Sequence, residues 1–169
     1  MKIRSAAPGE HAALSRLAYA AKAYWGYSTD QLSIWRNELT FRPETISAWP
    51  TWVAEIDGMP VGVIQLNPTV EPCELDSLWV LPMAMGRGIG KALLRQALDA
   101  ALQLGLSEVA IDSDPNAESF YLSCGAVRVG EIQAPIADQP QRIRPQLRLP
   151  TSAAFPLLRP GIPIVDMWP

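Results

Sequence analysis

The sequence predicts a single-domain α/β fold built on a mixed sheet, and three observations carry that prediction. The segment TWVAEIDGMPVGVIQL holds two apolar, β-branched runs, residues 52–56 and 61–66, split by the Asp57-Gly58 pair of a tight hairpin. Leu93, Leu94, Ala97, Leu98, Ala101 and Leu102 form one apolar stripe of a long helix that Gly105 stops. Strand candidates at residues 75–81 and 108–112 flank that helix, and a strand–helix–strand crossover makes two such strands parallel.

The remaining elements follow in chain order. Residues 3–5 read as a short strand, and Pro8-Gly9-Glu10 opens a helix. Leu14, Leu17, Ala18 and Ala21 fall at helical spacing through about Tyr24, and Gly26 ends the pattern. Ser28 with Gln31 reads as a capping box for a second helix carrying Leu32, Trp35 and Leu39. Residues 43–49 suggest a short helical turn, and 115–123 a short helix started by Asp114. Residues 127–132 and 146–149 are two further strands. Half of the sixteen prolines lie in residues 134–169. Phe155, Leu157, Leu158, Ile162, Ile164, Val165 and Trp168 nevertheless make the end of the chain too apolar for a solvated linker. We therefore expect a domain over 1–150 and a tail, 151–169, packed on it or on a partner subunit.

Composition narrows the function classes. With 169 residues, 49% of them hydrophobic and 18% charged, the chain can build a core and is not a disordered one. A net charge of −3 disfavours nucleic acid as a partner. No apolar run nears the ~18 residues of a membrane span, and Met1-Lys2-Ile3-Arg4-Ser5 lacks the stretch of a signal peptide. Cys73 and Cys124 alone make neither a disulfide framework nor a zinc site. The expectation is a cytoplasmic protein without membrane or nucleic-acid partners.

MGRGIGKALL lies between a strand and the long helix. A glycine turn there can present backbone N–H groups to an anion, and the helix N-terminus adds about half a positive charge, so a phosphate or pyrophosphate is the natural guest. Arg87, Lys91 and Arg95 add positive charge to that end. Two familiar phosphate motifs fail. Met85 and Ala92 break the P-loop pattern, and Lys91 stands where a dinucleotide fingerprint needs its third glycine. The plainer alternative is a tight turn that only packs.

At these residues the sequence resembles a family. LDSLWVLPMAMGRGIGKALL is similar to the central segment of the GNAT superfamily of acetyl-CoA-dependent N-acetyltransferases, and DPNAESFYLSCGAVRVGE resembles the segment that follows it. The hairpin resembles the family's second and third strands, so the similarity covers about residues 2–149. Met85 stands where the family has Gln or Arg, Ala126 where it usually has Phe, and Asp114 where Asn is common.

The resemblance implies a mostly antiparallel sheet with a central splayed parallel pair and flanking helices. Leu78, Trp79 and Val80 would pair with the pantetheine of acetyl-CoA as an added strand does. The pyrophosphate would lie on Gly86, Arg87, Gly88, Ile89, Gly90 and Lys91, with Asn116 also at the cosubstrate. The amine would attack the thioester directly, without a metal or covalent enzyme intermediate. Tyr121 of the Phe120-Tyr121 pair would be the acid that protonates the departing thiolate. Dimers are common in the family, so a homodimer is possible here.

Other residues divide between function and packing. Glu74 and Asp76 flank Leu75 and share a strand face, where they either attract a cationic amine and take its proton or line a solvated edge. Trp25, Tyr27 and Trp35 either build the acceptor pocket or fill the core. His11 reads as solvated and Cys124 as a packing residue. The expected activity is acetyl transfer to a small-molecule or peptidyl primary amine. The alternative, motivated by Met85, is a CoA-binding sensor or interaction module with little turnover.

Overall fold

The computed structural model describes residues 1–155. In chain order the elements are β1 (Lys2–Ser5), α1 (His11–Ala23), α2 (Thr29–Ile34), α3 (Pro43–Ala48), β2 (Thr51–Ile56), β3 (Met59–Asn67), β4 (Glu74–Val80), α4 (Ile89–Gln103), β5 (Glu108–Asp112), α5 (Glu118–Ser123), β6 (Val127–Gln133) and β7 (Ile143–Pro150). No helix among the described residues is long and apolar enough to cross a membrane.

The strands form one seven-stranded sheet in the order β1-β2-β3-β4-β5-β7-β6. Only β4 and β5 run parallel, as the crossover through α4 requires. The sheet separates two apolar clusters. Leu14, Leu17 and Ala18 of α1 pack with Phe41, Val53 and Val63 on one side. On the other, Ile89, Leu93, Leu94 and Leu98 of α4 pack with Ile64, Leu66, Val109 and Leu147. Each fully buried leucine contributes about 1.5–3 kcal/mol relative to exposure. Gly62 sets the spacing of α4 on β3: a Cβ there would lie 3.0 Å from Leu93 Cδ1 and 3.2 Å from Ile89 Cγ2.

Three expectations need correction. The second helix stops at Ile34, and Trp35 and Leu39 lie in the turns beyond it. The N–H of Leu39 still donates to the Trp35 carbonyl at 3.1 Å, so the apolar spacing is kept by turns instead of a helix. Leu102 is 54% exposed, so the buried stripe of α4 ends at Ala101. The segment 115–123 opens with a 3₁₀ turn over Pro115–Ala117, and α5 itself starts at Glu118. Asp114 begins it as expected, its carboxylate accepting from the Asn116 N–H at 2.9 Å. Of the tail, Phe155 is buried with Cys124 and Ala126 in the α4 cluster, and residues 156–169 lie outside the described residues.

Candidate active site

The site starts where β4 leaves β5. The two strands share a single register pair, Glu74 with Ala110, closed by the Ala110 N–H donating to the Cys73 carbonyl at 2.8 Å. Past that point they splay, and β4 continues to Val80 on β3 alone. A β-bulge marks the same place. Gln65 pairs with Ser77 and Leu66 with Leu75, which leaves Asp76 as the extra residue. Beyond the bulge Leu78 and Val80 pack against the α4 cluster, while Trp79 packs on the α1 side.

Below the open edge, Gly86 (φ +71°) and Gly88 (φ +76°) both adopt the left-handed region, and Gly88 caps α4. These are conformations that an L side chain adopts at a cost of about 1–2 kcal/mol. The first N–H groups of α4, from Ile89 onward, have no intrahelical acceptor, as at any helix start. Ile89 offers only its backbone, since its side chain is buried in the core. Arg87 is exposed and Lys91 half-buried at the turn. Arg95 is engaged elsewhere, its guanidinium 4.3 Å from the Phe155 ring centroid.

On the α1 side of the splay lies a cavity of about 880 Å³. Glu74, Asp76 and Trp79 line it from β4, Lys22 and Trp35 from the N-terminal helical region, and Arg142 and Arg144 from the start of β7. Its wall holds a charged network centred on Asp114. That carboxylate accepts from Lys22 Nζ, from Tyr27 Oη at 2.8 Å and from Arg142 Nη2 at 3.3 Å. The Lys22 ammonium also sits 4.5 Å from the Trp35 ring centroid, with the Arg142 guanidinium 5.1 Å from the same ring. Burial raises the Asp114 carboxyl, but Lys22 and its hydrogen-bond donors outweigh that and hold it below the ordinary carboxylate range. Burial lowers the Lys22 ammonium, and Asp114 offsets this only in part.

Glu74 and Asp76 lack such partners. Burial raises the Glu74 carboxyl, and the negative charges of Asp76 and Asp112 raise it further. Burial also raises Asp76, against one hydrogen bond from Ser77 Oγ at 3.0 Å. These two carboxylates therefore combine a place on the cavity wall with raised proton affinity.

The other expected residues are placed as follows. Tyr27 and Trp35 stand at the charged network, while Trp25 is 40% exposed and stacks on Tyr24 away from the cavity. The Asn116 side chain donates to Tyr27 Oη at 3.1 Å and to Asp114 Oδ1 at 2.9 Å. Phe120 is the ring nearest the glycine turn, 3.3 Å from where a Gly90 Cβ would stand. Tyr121 lies in the α4 core cluster with its ring edge-on to Phe120, and its hydroxyl has no hydrogen-bond partner among the described residues. Sequence reasoning missed Lys22, Arg142 and Arg144. Lys22 carried a readable signal, four residues after Ala18 and eight after Leu14 on the buried face of α1.

Residues 16–126, from α1 through the glycine turn to the end of α5, match the family model described as Acetyltransferase (GNAT) family. The chain belongs to the GNAT family of acetyltransferases. N-acetyltransferase 8 of Mus musculus is 31% identical over 112 residues, 61% of this chain and 47% of that protein. The chain spans less than half the length of the curated relatives it matches, 47% and 44% of them. Among solved structures, a GCN5-related N-acetyltransferase from Rhodopseudomonas palustris superimposes with a TM-score of 0.71 at 22% identity, over 87% of this chain and 93% of that one. The PaiA N-acetyltransferase of Thermoplasma acidophilum, in complex with coenzyme A, gives 0.65 at 20% identity, over 87% of this chain and 96% of that one. At those identities the superpositions establish the fold. The family match spans β4, the glycine turn, β5 and α5 of this GNAT domain, and it contains Lys22 and Asp114 of the charged network but not Arg142.

Proposed function

We propose that this GNAT domain transfers the acetyl group of acetyl-CoA to a primary amine by direct attack of the amine on the thioester. The observation that carries this reading is the open edge of β4 standing directly above a left-handed glycine turn at the start of α4. The residues fit the cosubstrate. Leu78 and Val80 turn their backbone groups to the open β5 side for the pantetheine amides, in the manner of an added strand, while the Trp79 carbonyl faces β3. Gly86, Arg87, Gly88, Ile89, Gly90 and Lys91 surround the pyrophosphate, with no Cβ at the glycines to hold its oxygens away. A GNAT neighbour crystallised with coenzyme A supports the same assignment.

Acetyl-CoA supplies an activated acyl group and a thiolate leaving group. The cavity supplies the amine, which reaches the splay from the α1 side. An alkylammonium has an ordinary pKa near 10, so it must lose a proton before attack. Glu74 and Asp76 hold it and take that proton, directly or through water. As the nitrogen–carbon bond forms and the carbon–sulfur bond breaks, Tyr121 gives its phenolic proton to the sulfur, and the second proton shed by the nitrogen on becoming an amide restores the phenol through water. A screen of amines for acetyl-CoA-dependent release of free thiol tests the reading. Binding of acetyl-CoA without turnover of any amine would leave a sensor instead.

Two further results are expected. Gly88→Val should abolish measurable acetyl-CoA binding in calorimetry and cost about 1–2 kcal/mol of stability, because Gly88 has φ +76°. Unchanged binding, or equal binding of ATP and NAD by the wild type, would remove the glycine turn from the site. Glu74→Gln should slow turnover and raise the melting temperature near neutral pH. The folded-state carboxyl of Glu74 is raised above 4.5, so the folded protein binds its proton more tightly than the unfolded chain. Wild-type stability therefore falls as pH rises through that window, and the gain from Gln fades below it. A variant that melts lower at neutral pH would contradict this.

A further inference from the structure

We propose that the acceptor amine also carries a carboxylate, making the substrate a free amino acid. This rests on the acetyl-transfer reading above and adds the substrate class. The cavity divides its charge between two neighbouring ends. Glu74 and Asp76, on β4, have no cationic partner among the described residues and suit an ammonium. Opposite them stand Arg142 and Arg144, two residues apart and both on the cavity wall.

Arg142 is held through both terminal nitrogens and Arg144 through one, which leaves other N–H donors of each guanidinium unused. Arg142 donates to Asp114 at 3.3 Å and to the Ala134 carbonyl at 3.2 Å, and its side chain is only 4% exposed. Arg144 pairs with Asp112 at 3.1 Å. The Nε–H of both is buried and has no acceptor among the described residues. Those Nε atoms are closed even to water, so a substrate carboxylate would meet the terminal nitrogens of Arg144, whose side chain is 38% exposed on the cavity wall, and supply the charge that a guanidinium favours.

The two ends are close. Arg144 lies near enough to Glu74 to oppose the upward shift of its carboxyl. That suits a molecule whose ammonium and carboxylate share one carbon atom. A diamine fits less well, because its second ammonium would meet Arg142 and Arg144. The Trp35 face that would attract it is already flanked by Lys22 at 4.5 Å and Arg142 at 5.1 Å.

Matched acceptors test the inference on the full chain. Thiol release is measured with phenylalanine and leucine, with phenethylamine and isopentylamine, which lack only the carboxylate, and with putrescine. The amino acids should show kcat/KM higher by about 10- to 100-fold, the range of a charged hydrogen bond. Arg144→Met should raise KM for phenylalanine about tenfold more than for phenethylamine, a split that a purely structural arginine does not produce. Calorimetry of phenylalanine against phenethylamine, with CoA present, should give the same order without relying on turnover. Faster turnover of the carboxylate-free amines, or an equal KM change for both in the variant, overturns the amino-acid inference and leaves acetyl transfer standing. Failure to bind acetyl-CoA together with no thiol release from any amine overturns the acetyl-transfer reading itself.

Discussion

Tyr121→Phe is expected to lower kcat by about 10²–10⁴-fold, the usual contribution of a general acid. The leaving thiolate of CoA is basic and gains most from a proton delivered as the carbon–sulfur bond breaks. A phenol is protonated at neutral pH, and burial pushes the Tyr121 hydroxyl higher still, with Cys124 and Asp114 adding to the shift. No other group among the described residues hydrogen-bonds that hydroxyl, so it is available to donate. Phenylalanine keeps the ring in its place beside Phe120 and removes only the oxygen. Stability and acetyl-CoA binding should therefore stay near wild type while turnover falls. Turnover within about twofold of wild type, with chemistry rate-limiting, would remove Tyr121 from the mechanism.

The second large effect is on stability. Asp114→Ala is expected to cost about 3–5 kcal/mol, a large share of the ~5–15 kcal/mol that holds a domain of this kind. The variant leaves Lys22 and Arg142, side chains 10% and 4% exposed, facing each other without their shared anion. Lys22→Met should cost much less, because Asp114 keeps Arg142 and Tyr27. The pH dependence has a definite sign. The carboxyl of folded Asp114 lies below 3.8, so its contribution is complete above the unfolded value and is lost as pH falls towards the folded one. Urea titration of both variants checks the ranking. A loss under about 1 kcal/mol for Asp114→Ala would mean that water already reaches the cluster.

The two large effects fall on residues of very different legibility. Tyr121 was singled out only by the resemblance to the GNAT family, whereas the glycine turn was visible because local spacing marks it. The β5 run at Glu108–Asp112 and the Asp114 helix start were visible for the same reason. The second helix was overextended to Leu39, since turns can keep an apolar residue every four positions as a helix does. The charged network was out of reach for a different reason. Its partners are 92 residues apart for Lys22 and Asp114 and 28 for Arg142 and Asp114, joined only once the sheet is assembled. No local period reports a contact of that kind. The buried position of Lys22 on α1 was legible, but not what it pairs with.

The sheet order has a consequence for how the protein is made. Among the described strands β7 is the last to be synthesised, yet it sits between β5 and β6. Until it arrives, β6 has no hydrogen-bonding neighbour, and β5 has only its one-pair contact with β4. A ribosome-bound chain that has emerged only as far as α5 can close the β1–β4 half around α4 but holds its remaining strands open. Arg142 and Arg144 arrive with β7 as well. Completion of the cavity and closure of the sheet are therefore one late event.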